Sequence, residues 1–330
     1  MTDIVHQNFS GVSMNGKAFL RQSGIGIALL LLIAVFSLST EHFLTTSNLT
    51  NILTQITINV ILAVGMTFVI LIGGIDLSVG SVLAFSAVIA GLIITAPGLE
   101  PGPAIVLAVI GAIGAGVVCG VLNGVVSAWW KIPSFIVTLG TLNIARGGAL
   151  QVTNAGTIYS FPPAFNAFGS MSLGGIPLLF LIALILVALG WIILNRTIFG
   201  RILYGIGNNE EAVRLAGHNV FAYKVAAFTI CGATAGVAAI AYMARLNVAS
   251  PIIGSGFELN AIAAVVIGGT SLNGGRGTII GTLLGACVIG VLANGLILLG
   301  LTDFIRQMIT GAVIIFAVVL DRYRDRLTAK

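Results

Sequence analysis

Charge is what this sequence has least of: Asp, Glu, Lys and Arg together make up 8% of its 330 residues. A water-soluble domain carries roughly a quarter, so a soluble fold is excluded. Cysteine and histidine are equally scarce, with three of each. Cys119, Cys231 and Cys287 lie inside apolar runs with no His or second Cys at ligand spacing. Neither a disulfide framework nor a metal site is therefore predicted.

The motifs of common catalysts are missing as well. The sequence has no GxxxxGK[ST] loop, so the chain itself cannot hydrolyse ATP by the usual route. It shows no HExxH motif and no Ser/His/Asp set. No acidic residue sits clearly mid-span to carry a coupling proton or sodium ion, which argues against a secondary transporter. We predict no cofactor and no enzymatic activity.

What the chain does have is apolar length: 58% of its residues are hydrophobic and its mean hydropathy is +1.11. The apolar runs last about 20 residues, the length of a membrane-spanning helix and about twice that of a barrel strand. The sequence therefore predicts an all-α integral membrane protein with about ten transmembrane helices. A membrane domain, 24–320, lies between an N-terminal tail, 1–23, and a C-terminal tail, 321–330. The predicted spans are 24–40, 48–72, 78–96, 103–130, 134–154, 176–194, 222–246, 258–270, 278–300 and 304–320.

The basic residues predict the orientation. With the N-terminus inside, all 15 Lys and Arg except Arg146, Arg245 and Arg306 fall in cytoplasmic segments. This asymmetry places both termini in the cytoplasm under the positive-inside rule. The net charge is +5, but the basic residues are scattered beside helix ends rather than clustered, so no nucleic-acid partner is predicted.

One polar segment, 195–221, interrupts the apolar pattern between the sixth and seventh predicted spans. We interpret it as a loop in water, since a segment this polar cannot lie in hydrocarbon. Within it, Asn208 or Asn209 can cap a short helix that begins at Glu210 and ends at Ala216. The carboxylates of Glu210 and Glu211 then lie in its first turn, where the helix dipole favours them, and Gly217 ends it. Such a helix is a docking element.

Two glycine-rich segments predict breaks at helix ends. In GGIDLSVGS, Gly73 and Gly74 unwind the helix and Asp76 or Ser78 caps the next one. Gly268 and Gly269 open a similar segment, and GGIDLSVG at 73–80 aligns with GGTSLNGG at 268–275. Each break is either a capped re-entrant turn or part of a permeation path.

A few polar side chains fall within or beside the spans. Arg146 lies deep in the fifth span, and Glu258 lies near the outer boundary. Both could line a polar pathway, although snorkelling also accounts for Glu258. Asn59, Asn123 and Asn143 could bind a permeating solute or bond a neighbouring helix. The GxxxG ladders at 116–124, 232–236 and 281–285 predict close helix packing.

Four stretches carry a resemblance to a known family. They are AVGMTFVILIGGIDLSVGS (63–81), KIPSFIVTLGTLNIARGG (131–148), TIFGRILYGIGNNEEAVRLAG (197–217) and ELNAIAAVVIGGTSLNGGRGTIIGTLLGA (258–286). Their order and content resemble the permease subunit of bacterial ribose-type monosaccharide ABC importers, within the branched-chain amino acid/monosaccharide permease family. The sequence departs from the family at Asn208, where Gly is usual, and at His218, where an apolar residue is common.

The resemblance implies a multi-pass protein of the bacterial inner membrane that pairs with a second permease copy. A cytoplasmic ABC ATPase would drive it and a periplasmic sugar-binding protein would supply the sugar. The family's ATPase-docking role is carried over to the matching residues, which are Asn209, Glu210, Glu211, Ala212, Arg214 and Gly217.

The resemblance leaves the sugar open. Ribose or a similar monosaccharide is the leading expectation, and other pentoses or hexoses, inositol and autoinducer-2 are the alternatives. The rival hypothesis from another class is a self-sufficient channel or ion-coupled transporter.

Overall fold

A computed structural model describes residues 16–328, which form twelve helices and one small hairpin. The N-terminal tail expected at 1–23 lies largely outside these residues. The helices are α1 (Gly16–Ser39), α2 (Thr46–Leu71), α3 (Val79–Ile94), α4 (Pro101–Trp129), α5 (Ser134–Thr153), α6 (Pro163–Ser170), α7 (Leu178–Arg196), α8 (Ile198–Leu215), α9 (Val220–Leu246), α10 (Phe257–Ile267), α11 (Ile279–Leu298) and α12 (Asp303–Thr328). The strands β1 (Ser172–Leu173) and β2 (Ile176–Pro177) pair antiparallel.

Every predicted span coincides with a helix, and five helices are long and apolar enough to cross a membrane by length and composition. The eighth span, predicted at 258–270, contains the shortest of the apolar helices. Helix α10 has 11 residues, about 17 Å at 1.5 Å per residue. A hydrocarbon core is about 30 Å thick. The predicted position of this helix is confirmed to within three residues, but α10 is too short to cross the hydrocarbon core by itself.

Helix α6 and the part of helix α8 before Asn209 were not predicted. Helix α6 occupies the Pro- and Gly-containing segment after α5, followed directly by the hairpin. Helix α8 fills the first part of 195–221, which we had interpreted as a loop. Its first residues have an apolar side: Gly200, Ile202, Leu203 and Ile206 are buried.

Helix α2 forms the centre of the bundle. Every residue from Val60 to Leu71 is buried, and α7, α9, α10 and α11 all contact the helix. Two polar contacts fix it against α11. Asn48 and Asn294 exchange two amide hydrogen bonds of 3.0 Å, and the hydroxyls of Thr67 and Thr282 lie 2.8 Å apart. These buried polar groups are paired, as burial requires.

The predicted glycine ladders face each other across helix pairs. A Cβ on Gly116 would overlap the backbone carbonyl of Gly232, and the reverse substitution would overlap Gly116. Gly281 faces Gly268 in the same way across the α10–α11 contact. Small residues thus let the backbones touch, which is the usual basis of helix packing in membranes.

The two short helices α3 and α10 start side by side. Near the start of α3, Gly80 lies against the backbone of Gly254 and the Glu258 carboxylate. From there α3 runs towards Ala249, which packs against Gly91. Helix α10 runs the other way, towards the segment that precedes α11. Two short helices that start together and point in opposite directions are typical of discontinuous transporter helices.

Candidate functional site

The first helix break, residues 72–78, begins with a glycine turn. Gly73 has φ +74°, its N–H donates to Ile70 O at 2.9 Å, and Gly74 N–H donates to Val69 O at 2.9 Å. This is a Schellman ending, in which a left-handed residue closes the last helical turn. The predicted unwinding at Gly73 and Gly74 is confirmed.

The chain then turns around a buried carboxylate, Asp76, which is 1% exposed. Its Oδ1 accepts hydrogen bonds from Ser78 N at 2.8 Å and Ser78 Oγ at 2.6 Å. Ser78 occupies the N-cap position of α3, but its side chain makes no capping bond. Asp76 therefore shapes the turn rather than capping the helix directly.

Helix α4 supplies the next contacts of this turn. Asn123 Nδ2 donates to Ser78 Oγ at 3.0 Å and lies 3.5 Å from Asp76 Oδ2, and Asn123 Oδ1 accepts from Thr141 Oγ1 at 2.5 Å. For three asparagines the sequence left open a solute contact or an interhelical bond. Asn123 makes interhelical bonds and joins the break.

Helix α5 holds the backbone of the same break through two hydroxyls. Ile75 N–H donates to Ser134 Oγ at 2.9 Å, and Leu77 N–H donates to Thr138 Oγ1 at 3.0 Å. Our sequence analysis missed these hydroxyls and that of Thr141. A signal was available, because positions 134, 138 and 141 recur at i, i+4 and i+7 and so share one face of a helix.

The second break, residues 268–278, leaves α10 in the same way. Gly269 has φ +85°, its N–H donates to Val266 O at 2.8 Å, and Thr270 N–H donates to Val265 O at 3.1 Å. The equivalent left-handed residues are thus Gly73 and Gly269. The sequence alignment had matched Gly73 to Gly268 and is wrong by one residue. It matched identical residue types, whereas the turns match at the glycines with positive φ.

The two breaks meet in the structure. Gly275 N–H donates to Leu71 O at 2.9 Å, and a Cβ on Gly274 would lie 2.8 Å from Gly73 N. The last turn of α2 therefore contacts the second break through backbone alone. Sequence analysis gave no contact between the two.

The polar segment 195–221 has the capped helix that we predicted. Helix α8 is bent at Asn209, whose backbone is extended at φ −158° and ψ 95°. Asn209 Oδ1 accepts a hydrogen bond from Ala212 N at 3.0 Å, so it caps the part of α8 that follows. Gly217, at φ +82°, comes just after the end of α8.

The part of α8 beyond the bend is exposed and charged. Glu211 pairs with Arg214 at 2.5 Å, and Glu210 pairs with Lys224 of α9 at 2.6 Å. By accepting the hydrogen bond, Glu211 raises the pKa of the Arg214 guanidinium. Ala212 is exposed as well, whereas Val213 is half-buried against the rest of the protein.

A cavity of about 360 Å³ connects this helix to the first break. Its lining includes Gly73, Ser134, Lys131, Glu210 and Lys224. Polar groups of the break and of the charged helix thus share one opening on the same side of the protein.

The remaining predicted residues lie apart from the breaks. Arg146 Nη1 donates to the carbonyls of Pro251 (2.5 Å) and Ile253 (2.7 Å), so it anchors the loop before α10. Glu258 Oε1 accepts from Gly256 N at 3.1 Å in the same region. Asn59 is half-buried on α2, and Asn143 is exposed and bonds Leu139 O of its own helix. No group of three or more metal-ligating residues occurs in the part of the chain that the structure describes.

Comparison with known proteins defines the class. The family model described as branched-chain amino acid transport system / permease component matches residues 48–318. The chain belongs to this family.

Individual relatives are similar over almost their full length. The ribose import permease protein RbsC of Escherichia coli K12 is 42% identical over 97% of this chain and 99% of its own. RbsC of Bacillus subtilis is 41% identical over 93% of this chain and 94% of its own. The D-allose transport system permease protein AlsC of E. coli K12 is 38% identical over 93% of this chain and 94% of its own. No solved structure gives a significant match.

Proposed function

We propose that the chain is the membrane permease subunit of an ABC importer that carries a monosaccharide, with ribose as the leading substrate. The near-full-length similarity to ribose import permeases is the observation that carries this proposal. Relatives named for allose, arabinose and galactose support the wider sugar class. Inositol and autoinducer-2 remain alternatives from the sequence alone.

The proposal includes three partners. A separate cytoplasmic ATPase hydrolyses ATP, because the sequence has no phosphate-binding loop of its own. A periplasmic binding protein delivers the sugar, and a second permease copy, identical or homologous, completes the pathway. The chain lies in the bacterial inner membrane with both termini in the cytoplasm, as its basic residues favour.

The docking element of the proposal is residues 209–217, which we call the docking helix. Three features support this role. It is exposed, its start is capped by Asn209, and the bend at Asn209 separates it from the packed first part of α8. Glu210 and Glu211 place negative charge at its N-terminal end, where the dipole favours it.

The proposed mechanism couples this helix to the helix breaks. ATP binding closes the two ATPase subunits and pulls on the docking helices, which opens the pathway outward, and hydrolysis resets it. The proposed pathway is lined from the two breaks and from the region where α3 and α10 start, which contains Arg146 and Glu258. A charge such as Glu258 is costly in lipid and normally faces a polar cavity.

The docking role is tested by Glu211→Trp in the complex purified with its ATPase. We expect the amount of ATPase that co-purifies with the permease to fall by at least tenfold, because a bulky side chain replaces an exposed carboxylate on the docking helix. Glu100→Trp is the control, since Glu100 is also exposed but lies at the start of α4, away from α8. Unchanged co-purification of the Glu211→Trp variant would contradict the docking role.

Reconstitution separates this proposal from its rival. Liposomes with the permease alone should show no sugar flux. Liposomes that also contain the ATPase, ATP and the binding protein should accumulate ribose. Flux through the permease alone would favour a self-sufficient channel or an ion-coupled transporter.

A further inference from the structure

Helix α8 consists of two parts with different surroundings. Before Asn209, the residues Gly200, Ile202, Leu203 and Ile206 are buried against the bundle. After Asn209, the docking helix is mostly exposed. A force on the docking helix therefore reaches the bundle by two routes, the Glu210–Lys224 pair with α9 and the first part of α8. The contacts of the first part determine where the second route leads.

The last turn before the bend touches the end of α2 and the second helix break through backbone. A Cβ on Gly207 would overlap Leu71 O, at the end of α2, and Gly275 N, in the second break. These two atoms are themselves hydrogen-bonded at 2.9 Å. Gly207 thus lies directly against a hydrogen bond that joins α2 to the second break.

Two side chains of α8 hold the second break on either side of this contact. Tyr204 donates its hydroxyl to Gly277 O at 2.8 Å. Asn208 Nδ2 donates to Gly275 O at 3.3 Å and to Tyr204 O at 2.8 Å. Positions 204, 207 and 208 share one face of the helix because they are spaced at i, i+3 and i+4.

Backbone contacts of this kind transmit displacement with little loss. Interiors are close-packed, and a shift of one element is passed on rather than absorbed. No flexible side chain lies between Gly207 and the atoms of Leu71 and Gly275 that it touches. Movement of α8 must therefore shift the end of α2 and the second break together.

We propose that Tyr204, Gly207 and Asn208 form a transmission junction that carries movement of the docking helix to the end of α2 and to the second helix break. They are positioning residues of the transport cycle and bind neither sugar nor ATPase. This inference rests on the proposed function, because it assumes that an ATPase moves the docking helix.

The test is Gly207→Ala in the complete transporter, reconstituted with the ATPase and the binding protein and supplied with ribose. We expect the ATPase to remain bound, because the docking helix is unchanged. Sugar accumulated per ATP hydrolysed should fall by about tenfold, because the added methyl group separates α8 from Leu71 and Gly275. The matched control is Gly140→Ala, a helical glycine with open space around its Cβ position.

Tyr204→Phe tests the same junction without added bulk. If the Gly207→Ala variant does not insert into the membrane, Tyr204→Phe alone tests the proposal. Loss of one hydrogen bond, about 1 kcal/mol, corresponds to roughly a fivefold change in an equilibrium. We expect sugar moved per ATP to fall about fivefold, with the ATPase still bound and the ribose concentration for half-maximal uptake unchanged. Tyr159→Phe is the control, since Tyr159 is exposed and distant from α8.

The outcomes separate the two proposals. The junction is supported if both variants still bind the ATPase but transport less sugar per ATP hydrolysed. Wild-type coupling in the Tyr204→Phe variant overturns it, and so does loss of ATPase from that variant, since these residues would then act in docking. Retained ATPase in the Glu211→Trp variant would instead count against the docking proposal itself.

Discussion

The two helix breaks leave their helices with the same turn but are held by different means. After Gly73, the first break is fixed by side chains: a buried carboxylate, Asp76, and hydroxyls from α5. After Gly269, the second break is held largely by backbone contacts to α2 and by two side chains of α8. One break is thus fixed within the bundle, and the other lies on the element that we propose to move.

Because of this difference, we expect removal of a side chain to lower the free energy of unfolding more in the first break than in the second. Asp76→Ala should lower the free energy of unfolding by about 3 kcal/mol, because it leaves two buried donors of Ser78 and the amide of Asn123 without their acceptor. Ser271→Ala, in the second break, should cost about 0.5 kcal/mol, since Ser271 Oγ accepts one bond of 3.3 Å from Asn273 N. Denaturant titration of the detergent-solubilised variants measures both. Equal losses would contradict the comparison.

Two buried threonines, Thr138 beside the first break and Thr270 in the second, allow a comparison of the same substitution. Thr138→Val should cost about 1–2 kcal/mol, because Leu77 N–H loses its acceptor in the first break. Thr270→Val should cost nothing or stabilise slightly. Among the described residues, the hydroxyl of Thr270 is buried with no hydrogen-bond partner, and burial of such a group is unfavourable. The same titration compares them, and a destabilised Thr270→Val variant would reveal a contact of that hydroxyl.

The smallest difference between the two breaks is expected for their left-handed glycines. Gly73→Ala and Gly269→Ala place a Cβ on residues with φ near +74° and +85°, a conformation that costs an L-residue about 1 kcal/mol. At Gly73 the added Cβ would make only an ordinary contact, 3.6 Å from Asn273 O. Similar losses in thermal stability would confirm the shared turn. A much larger loss at one position would show that the two endings are not equivalent.

Local signals in the sequence predicted a large part of this structure. Apolar length predicted the helices, Gly-Gly predicted the breaks, and the run from Asn209 to Gly217 predicted a capped helix. Each of these depends on residues close together in the chain. The first part of α8 was misread because its polar residues outweighed a spacing of Ile198, Ile202 and Ile206 that indicates an amphipathic helix.

Contacts between distant residues could not be predicted in this way. Arg146 donates hydrogen bonds to carbonyls more than a hundred residues away. Every residue has a backbone carbonyl, so the sequence does not indicate which ones accept these bonds. The contact of Gly207 with Leu71 and Gly275 is equally hidden, because glycine is frequent throughout the chain. The half-length of α10 depended on the turn at Gly254 and Gly256, whose left-handed backbones the sequence does not specify.

The extended residue at the bend in α8 also has an evolutionary consequence. Because one non-helical position separates an exposed, self-capped peptide from the buried bundle, substitutions at the exposed positions of that peptide leave the interior packing untouched. Duplicated copies of such a gene can therefore diverge in the ATPase that they bind while the membrane domain stays the same. Selection can then act separately on ATPase recognition and on solute transport.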